Sequence, residues 1–147
     1  MANQTNLTAT DLKIMIINAL HEIGVPANLK GYLYLQEALS IATMDRTTIF
    51  NMTNAIYTPV AAQFDTTASR VRRSIRLAIE VAWDRGDLDT LQRFFGYTVS
   101  NTKGKPTNGE FIALLAEYLR FQMETSRTLP LWAEEGLPCW TKLLAEK

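Results

Sequence analysis

Arg70, Arg72, Arg73 and Arg76 fall within one short stretch, Ser69-Arg70-Val71-Arg72-Arg73-Ser74-Ile75-Arg76. Guanidinium is planar, permanently charged and able to donate two parallel hydrogen bonds. That suits guanine O6 and N7 in the major groove of a duplex, or the oxygens of a phosphate. From Thr66 to Ala82 the charged residues are these four arginines and Glu80, four positive against one negative, a local charge of +3. A basic run is ordinarily a solvated helix face, neutralised by acids one turn away. Here only Arg76 has such an acid, Glu80 at i+4; Arg70, Arg72 and Arg73 have none. Arg72 and Arg73 also repel each other near the positive end of a helix, an unfavourable place for cations. Uncompensated charge so placed points to an anionic partner. Thr66, Thr67 and Ser69 lie at the start of the same element, where hydroxyls and free helix N–H groups suit phosphate oxygens.

The elements that must position these residues read as helix after helix, with no strand alternation. The first runs from about Thr10 to Ile23, with Leu12, Ile16, Ala19, Leu20 and Ile23 as its apolar stripe, and Gly24 and Pro26 end it. A second begins after Asn28 and runs to Ala42, and a third spans Thr48 to Tyr57. Thr58-Pro59 predicts the cap and first position of a short fourth helix ending near Phe64. Asp65-Thr66 is a tight connection, and Thr67 caps a long fifth helix to about Asp84. Ala68, Val71, Ile75, Ala78, Ile79 and Ala82 fall within a sector of about 100° on that helix and form its buried face. Arg70, Arg73 and Arg76 project from the other side, with Arg72 at its edge. A short helix, a turn and a longer helix with a basic leading half is the pattern of a helix-turn-helix. A sixth helix follows from Asp87 to Phe95-Gly96, and the capping box Thr107-Asn108-Gly109-Glu110 launches a seventh to about Met123. The expectation is an all-α, compact multi-helix domain over residues 1–123, with residues 124–147 a partly helical appendage.

The chain's 147 residues suffice for one domain with a real core, and a hydrophobic fraction of 47% is ordinary for a globular protein. No apolar run approaches the roughly 18 residues that cross a bilayer. The polar start, Met1 to Thr10, is no secretory signal, so a cytoplasmic protein without membrane contact is expected. Fifteen basic and fifteen acidic residues cancel, but Glu124, Glu134, Glu135 and Glu146 hold much of the acid in the tail, and a neutral total hides a basic spot. Cys139 is the single cysteine and His21 the single histidine, so neither an internal disulfide nor a zinc site is available. His21 fits a helix-end cap or a packing role, and no set of titratable residues suggests catalysis. No enzyme activity, metal or cofactor is expected. Lys103-Gly104-Lys105 lacks the glycine spacing of a Walker loop, and Pro106 stands where Ser or Thr would follow the lysine. That leaves a loop that touches DNA phosphate or an inert solvent loop. Trp132 and Trp140 suit docking on the core or a patch for a second subunit.

The sequence closely resembles the C-terminal effector domains of the stage zero sporulation protein A family, response regulators of sporulation. Five segments carry the likeness: His21-Glu22-Ile23-Gly24-Val25-Pro26-Ala27, Lys30-Gly31-Tyr32-Leu33-Tyr34-Leu35, Thr66-Thr67-Ala68-Ser69-Arg70-Val71, Ala78-Ile79-Glu80-Val81-Ala82-Trp83, and the run from Phe95 to Asn108. It covers about Ile14 to Leu119. The resemblance implies a six-helix core that binds a short G/C-containing promoter box as paired copies and activates or represses transcription. It implies arginines that read bases at Arg70 and Arg73, a family arginine at Arg76, and DNA-backbone contact near Lys103 and Lys105. Together with the charge argument, this predicts base contacts from Arg70, Arg72 and Arg73, and phosphate contacts from Thr66, Thr67, Ser69, Arg76, Lys103 and Lys105. The resemblance also implies contact with the sigma subunit of RNA polymerase through the region of Thr90, Phe95 and Val99.

Three departures qualify the likeness. Arg72 stands where the family has a base-reading glutamate; a carboxylate accepts from cytosine N4, whereas arginine accepts nothing, so the preferred base there differs. The family's phosphorylatable receiver domain is not within these residues, and the tail from about Glu124 has no counterpart. The rival expectation is a protein-interaction module that keeps the fold, contacts a regulator or sigma factor, and has relaxed DNA specificity.

Overall fold

The structure is a computed structural model that describes residues 9–95 and 105–128. Helix α1 (Ala9–Ile23) buries the five residues its spacing predicts, Leu12, Ile16, Ala19, Leu20 and Ile23. It stops at Gly24, whose φ of +102° only glycine adopts freely; the N–H groups of Gly24 and Val25 both return to the Leu20 carbonyl.

Helix α2 (Lys30–Met44) occupies the centre and packs against α1, α4 (Ala68–Arg85) and α6 (Asn108–Thr128). Leu35, Ala38, Leu39 and Ala42 are fully buried along it. Gly31 lies against the backbone of α4: a Cβ there would overlap the Ser74 carbonyl oxygen and sit 2.8 Å from the Ala78 Cβ. The two helices therefore cross in backbone contact, which fixes α4 from one side. At its other end, α2 is closed by Arg120 of α6, which donates to the carbonyls of Ala42 (2.9 Å) and Thr43 (3.3 Å).

The span from residue 46 to residue 63 departs from the sequence expectation. A 3-10 helix, Arg46–Asn51, opens on Asp45, whose carboxylate accepts from the Thr47 N–H and hydroxyl. A π-helical turn, Thr53–Tyr57, then runs without a break into α3 (Thr58–Gln63). Thr58 caps nothing: it is helical, at φ −67° and ψ −46°, and its N–H donates to the Thr53 carbonyl five residues back. Pro59 explains the wide turn. Its ring would crowd the carbonyl four residues earlier and it has no N–H to offer, and an i→i+5 turn relieves both problems without ending the helix.

Two short connections then set α4. The chain leaves α3 through Phe64 and Asp65, with Asp65 in the left-handed region at φ 57°. The Thr66 N–H reaches the Ala61 carbonyl (2.9 Å) and the Asp65 N–H the Ala62 carbonyl (3.4 Å), the double closure of a Schellman turn. Thr67 then caps α4, its hydroxyl accepting from the Arg70 N–H at 3.2 Å. Val71, Ile75, Ala78, Ile79 and Ala82 are buried, as their spacing predicts.

Helix α5 (Leu88–Phe95) follows, started by Asp87, and α6 begins with the expected capping box: the Glu110 N–H donates to the Thr107 hydroxyl, and the Thr107 N–H to the Glu110 carboxylate. Helix α6 continues past Met123 to Thr128. Trp83, Phe94, Phe95, Phe111 and Tyr118 pack ring to ring where α4, α5 and α6 meet. Burial pushes the Tyr118 hydroxyl up to about 12, with Glu22 adding to the rise.

Candidate nucleic-acid interface

Helices α3 and α4, with the Schellman turn between them, form the helix-turn-helix. Thr67 sits outside α4 with extended backbone, and its hydroxyl and carbonyl take the N–H groups of Arg70 and Val71. The N–H groups of Ala68 and Ser69 are left without an intramolecular partner among the described residues. They lie at the positive end of an 18-residue helix, where an anion is favoured.

Arg70, Arg72 and Arg73 are exposed on the leading two turns, and none forms an ion pair with a described residue. Arg73 makes one long contact, from Nη1 to the Ser69 hydroxyl at 3.4 Å, so the two stand on one face a turn apart. Thr67 and Ser69 are exposed beside them and Thr66 is half-buried. Three guanidinium groups and three hydroxyls thus share one end of one helix.

Arg76 does not join them. Its Nε donates to Glu80 at 3.1 Å, and its Nη1 donates to the Pro106 carbonyl at 2.9 Å and to Asn108 Oδ1 at 3.4 Å. Arg76, of which a phosphate contact is expected, forms a structural bond between α4 and the start of α6. An arginine with an acid at i+4 is the member of the cluster whose charge is already balanced.

Lys105 is exposed and pairs with Asp84 at 3.1 Å, near the far end of α4. An exposed ion pair is worth only about 0.2–1 kcal/mol, so it yields readily to a phosphate. Lys103 and Val99 lie outside the described residues. Thr90 and Phe95, the other residues expected to meet a sigma subunit, are buried. The Thr90 N–H and hydroxyl both donate to Asp87, closing the first turn of α5, while Phe95 stacks on Phe111 and packs against Trp83. As side chains they serve the fold, and among the described side chains of α5 Asp89 and Gln92 are the exposed ones.

One participant escapes the sequence patterns. Asn108, the first residue of α6, is 9% exposed and donates to the Tyr57 hydroxyl (3.2 Å) and to the main-chain carbonyl of Arg72 (3.1 Å). Burial raises the Tyr57 hydroxyl above its ordinary range, against the opposing pull of the Asn108 hydrogen bond and of the Arg72 and Arg76 charges, so it stays protonated. The only local signal was a polar amide inside a capping box, where Thr107 and Glu110 already satisfy the helix end.

Among the described residues no group of His, Cys, Asp or Glu is placed to hold a metal ion, and no helix is long and apolar enough to cross a membrane. Residues 16–119 match the family described as the sporulation initiation factor Spo0A C terminal. The matched span contains the whole helix-turn-helix, α5 and the start of α6.

Proposed function

Because the chain belongs to the Spo0A C-terminal family of non-enzymatic, DNA-binding effector domains of transcription regulators, we propose that it reads a short promoter box with the leading half of α4 in the major groove. Arg70, Arg72 and Arg73 make the base contacts. Thr66, Thr67, Ser69 and Lys105 hold phosphates, joined by the free N–H groups of Ala68 and Ser69 and by Lys103. The observation that carries this reading is the set of three exposed arginines without an acid partner among the described residues, at the capped end of a helix braced by α2 and α3. Such a charge excess gains little in water and much beside the phosphates and base edges of a duplex.

Arg72 gives the box its own character. Where a carboxylate would favour cytosine, a guanidinium favours guanine, and the extra positive charge raises affinity for any duplex. Pairing of two copies on adjacent boxes belongs to the same proposal, as does contact with the RNA polymerase sigma subunit. With Thr90 and Phe95 buried, the sigma contact falls to the exposed Asp89 and Gln92 of α5.

A gel-shift series over single-base variants of the preferred box tests the assignment. Arg73→Ala should cost about 1–3 kcal/mol on the preferred box and blur the preference at one base pair. If affinity and preference both survive the substitution, α4 is not the reading helix.

A further inference from the structure

Base reading by arginine needs the helix that carries it to be held in rotation as well as in place. The tip of an arginine lies about 6 Å or more from the helix axis, so a 10° roll moves it by about 1 Å. Hydrogen bonds to base edges span only about 2.7–3.2 Å, and a bidentate pair requires two at once. What stops α4 from rolling is therefore a question of specificity as much as of stability.

The backbone of α4 is gripped at two neighbouring points. On one side Gly31 of α2 lies against the Ser74 carbonyl. On another, Asn108 reaches the Arg72 carbonyl, whose second lone pair is free for it because the helix uses only one. Asn108 is in turn held on every side. Its other amide hydrogen goes to the Tyr57 hydroxyl in the turn leading to α3, and its Oδ1 accepts from Arg76, which also binds the Pro106 carbonyl. A single buried side chain thus links the segment leading into the first helix of the motif, the peptide between Arg72 and Arg73, and the start of α6. The same segment, 105–108, carries Lys105, so groove and phosphate contacts share one anchor.

We propose that Asn108 is a positioning residue for base recognition, its side-chain amide fixing the roll of α4, and with it the aim of Arg70, Arg72 and Arg73, by joining the Arg72 carbonyl to the Tyr57 hydroxyl. The proposal rests on α4 being the reading helix. It goes further in predicting a loss of specificity from a residue on another helix that touches no base. Asn108→Asp is the informative change. It keeps an oxygen toward Arg76 and places a favourable charge in the first turn of α6, yet removes both donated hydrogen bonds and turns an acceptor toward the Arg72 carbonyl.

The experiment measures binding of the full chain, as wild type, Asn108→Asp, Tyr57→Phe and Arg73→Ala, to the box selected from a random duplex pool, to each of its single-base variants and to a mixed-sequence duplex. Thermal melting of each variant is recorded alongside. Asn108→Asp should bind the selected box about tenfold more weakly, the worth of one mismatched base pair, with flattened preference under the arginines. Its affinity for mixed duplex should fall much less, by the small and sequence-independent effect of one added negative charge. Tyr57→Phe should flatten the same positions to a smaller degree, and it decides the matter if Asn108→Asp does not fold. Wild-type preference in the folded Asn108 variant, or in Tyr57→Phe when that variant alone folds, overturns the proposal if Arg73→Ala has flattened it. If Arg73→Ala leaves preference intact, the reading helix itself is wrong and the positioning role falls with it.

Discussion

Replacing Gly31 by alanine adds one methyl group where α2 meets α4, and the sign of its effect follows from two opposing magnitudes. Alanine favours a helix over glycine by about 0.8–1.0 kcal/mol in the interior, and by less in the first turn, where Gly31 sits. Against that gain, the new Cβ would overlap the Ser74 carbonyl oxygen and lie 2.9 Å from its carbon and 2.8 Å from the Ala78 Cβ. Two of the three obstacles are backbone, so the strain is relieved only if the helices part. Overpacking of this kind costs about 1–3 kcal/mol. The net loss should be about 1–2 kcal/mol, a fall in Tm of about 4–8 °C at the ~4 °C per kcal/mol typical of a domain this size. Gly109 provides the control, being also in the first turn of its helix. Among the described residues a Cβ there meets only the Met52 sulfur at 3.2 Å, the movable part of a flexible side chain, and Gly109→Ala should be neutral or slightly stabilising. Paired thermal melts of the two variants check the contrast. An unchanged or raised Tm for Gly31→Ala would refute backbone contact between α2 and α4.

Other perturbations follow from the same geometry. Thr67→Ala removes the cap of α4 and should cost about 1 kcal/mol in urea unfolding, while Thr67→Ser should cost little. Asp84→Asn frees Lys105 from its ion pair and should raise affinity for all duplexes alike by roughly two- to fivefold, the worth of an exposed pair, as titration at fixed salt would show. At alkaline pH, the folded chain keeps Tyr118 neutral up to about 12, whereas the unfolded chain ionises its tyrosines near 10. The raised value means that its stabilising contribution is complete below pH 10 and is lost as pH climbs toward 12; Tyr118→Phe should flatten that decline in pH-dependent melting.

Much of the fold was legible because its signals are local. The buried face of α4 follows from a three- and four-residue rhythm, and the start of α6 from the Thr107–Glu110 reciprocity. The stretch before α3 misled because Thr-Pro is also the signature of a fresh helix. Only the wide turn ahead of Pro59 shows the chain keeping its helical course there. The burial of Thr90 and Phe95 could have been read from the apolar spacing of Leu91, Phe94 and Phe95, whereas a resemblance alone placed them at a surface contact. The exposed arginines were identified by what they lack, an acid one turn away. The bond from Arg76 to Pro106, thirty residues distant, and the grip of Asn108 on Arg72 were not legible, because long-range hydrogen bonds leave no periodicity.

Placing a glutamate at position 72 tests most directly whether the exposed face of α4 meets base edges. Selection from a random duplex pool, run in parallel on the wild type and on Arg72→Glu, should return boxes that differ at a single base pair. Guanine should be enriched there by the arginine and cytosine by the carboxylate, with weaker binding of the variant to mixed duplex. Identical boxes from both proteins, differing only in overall affinity, would mean that residue 72 feels the charge of the duplex but touches no base.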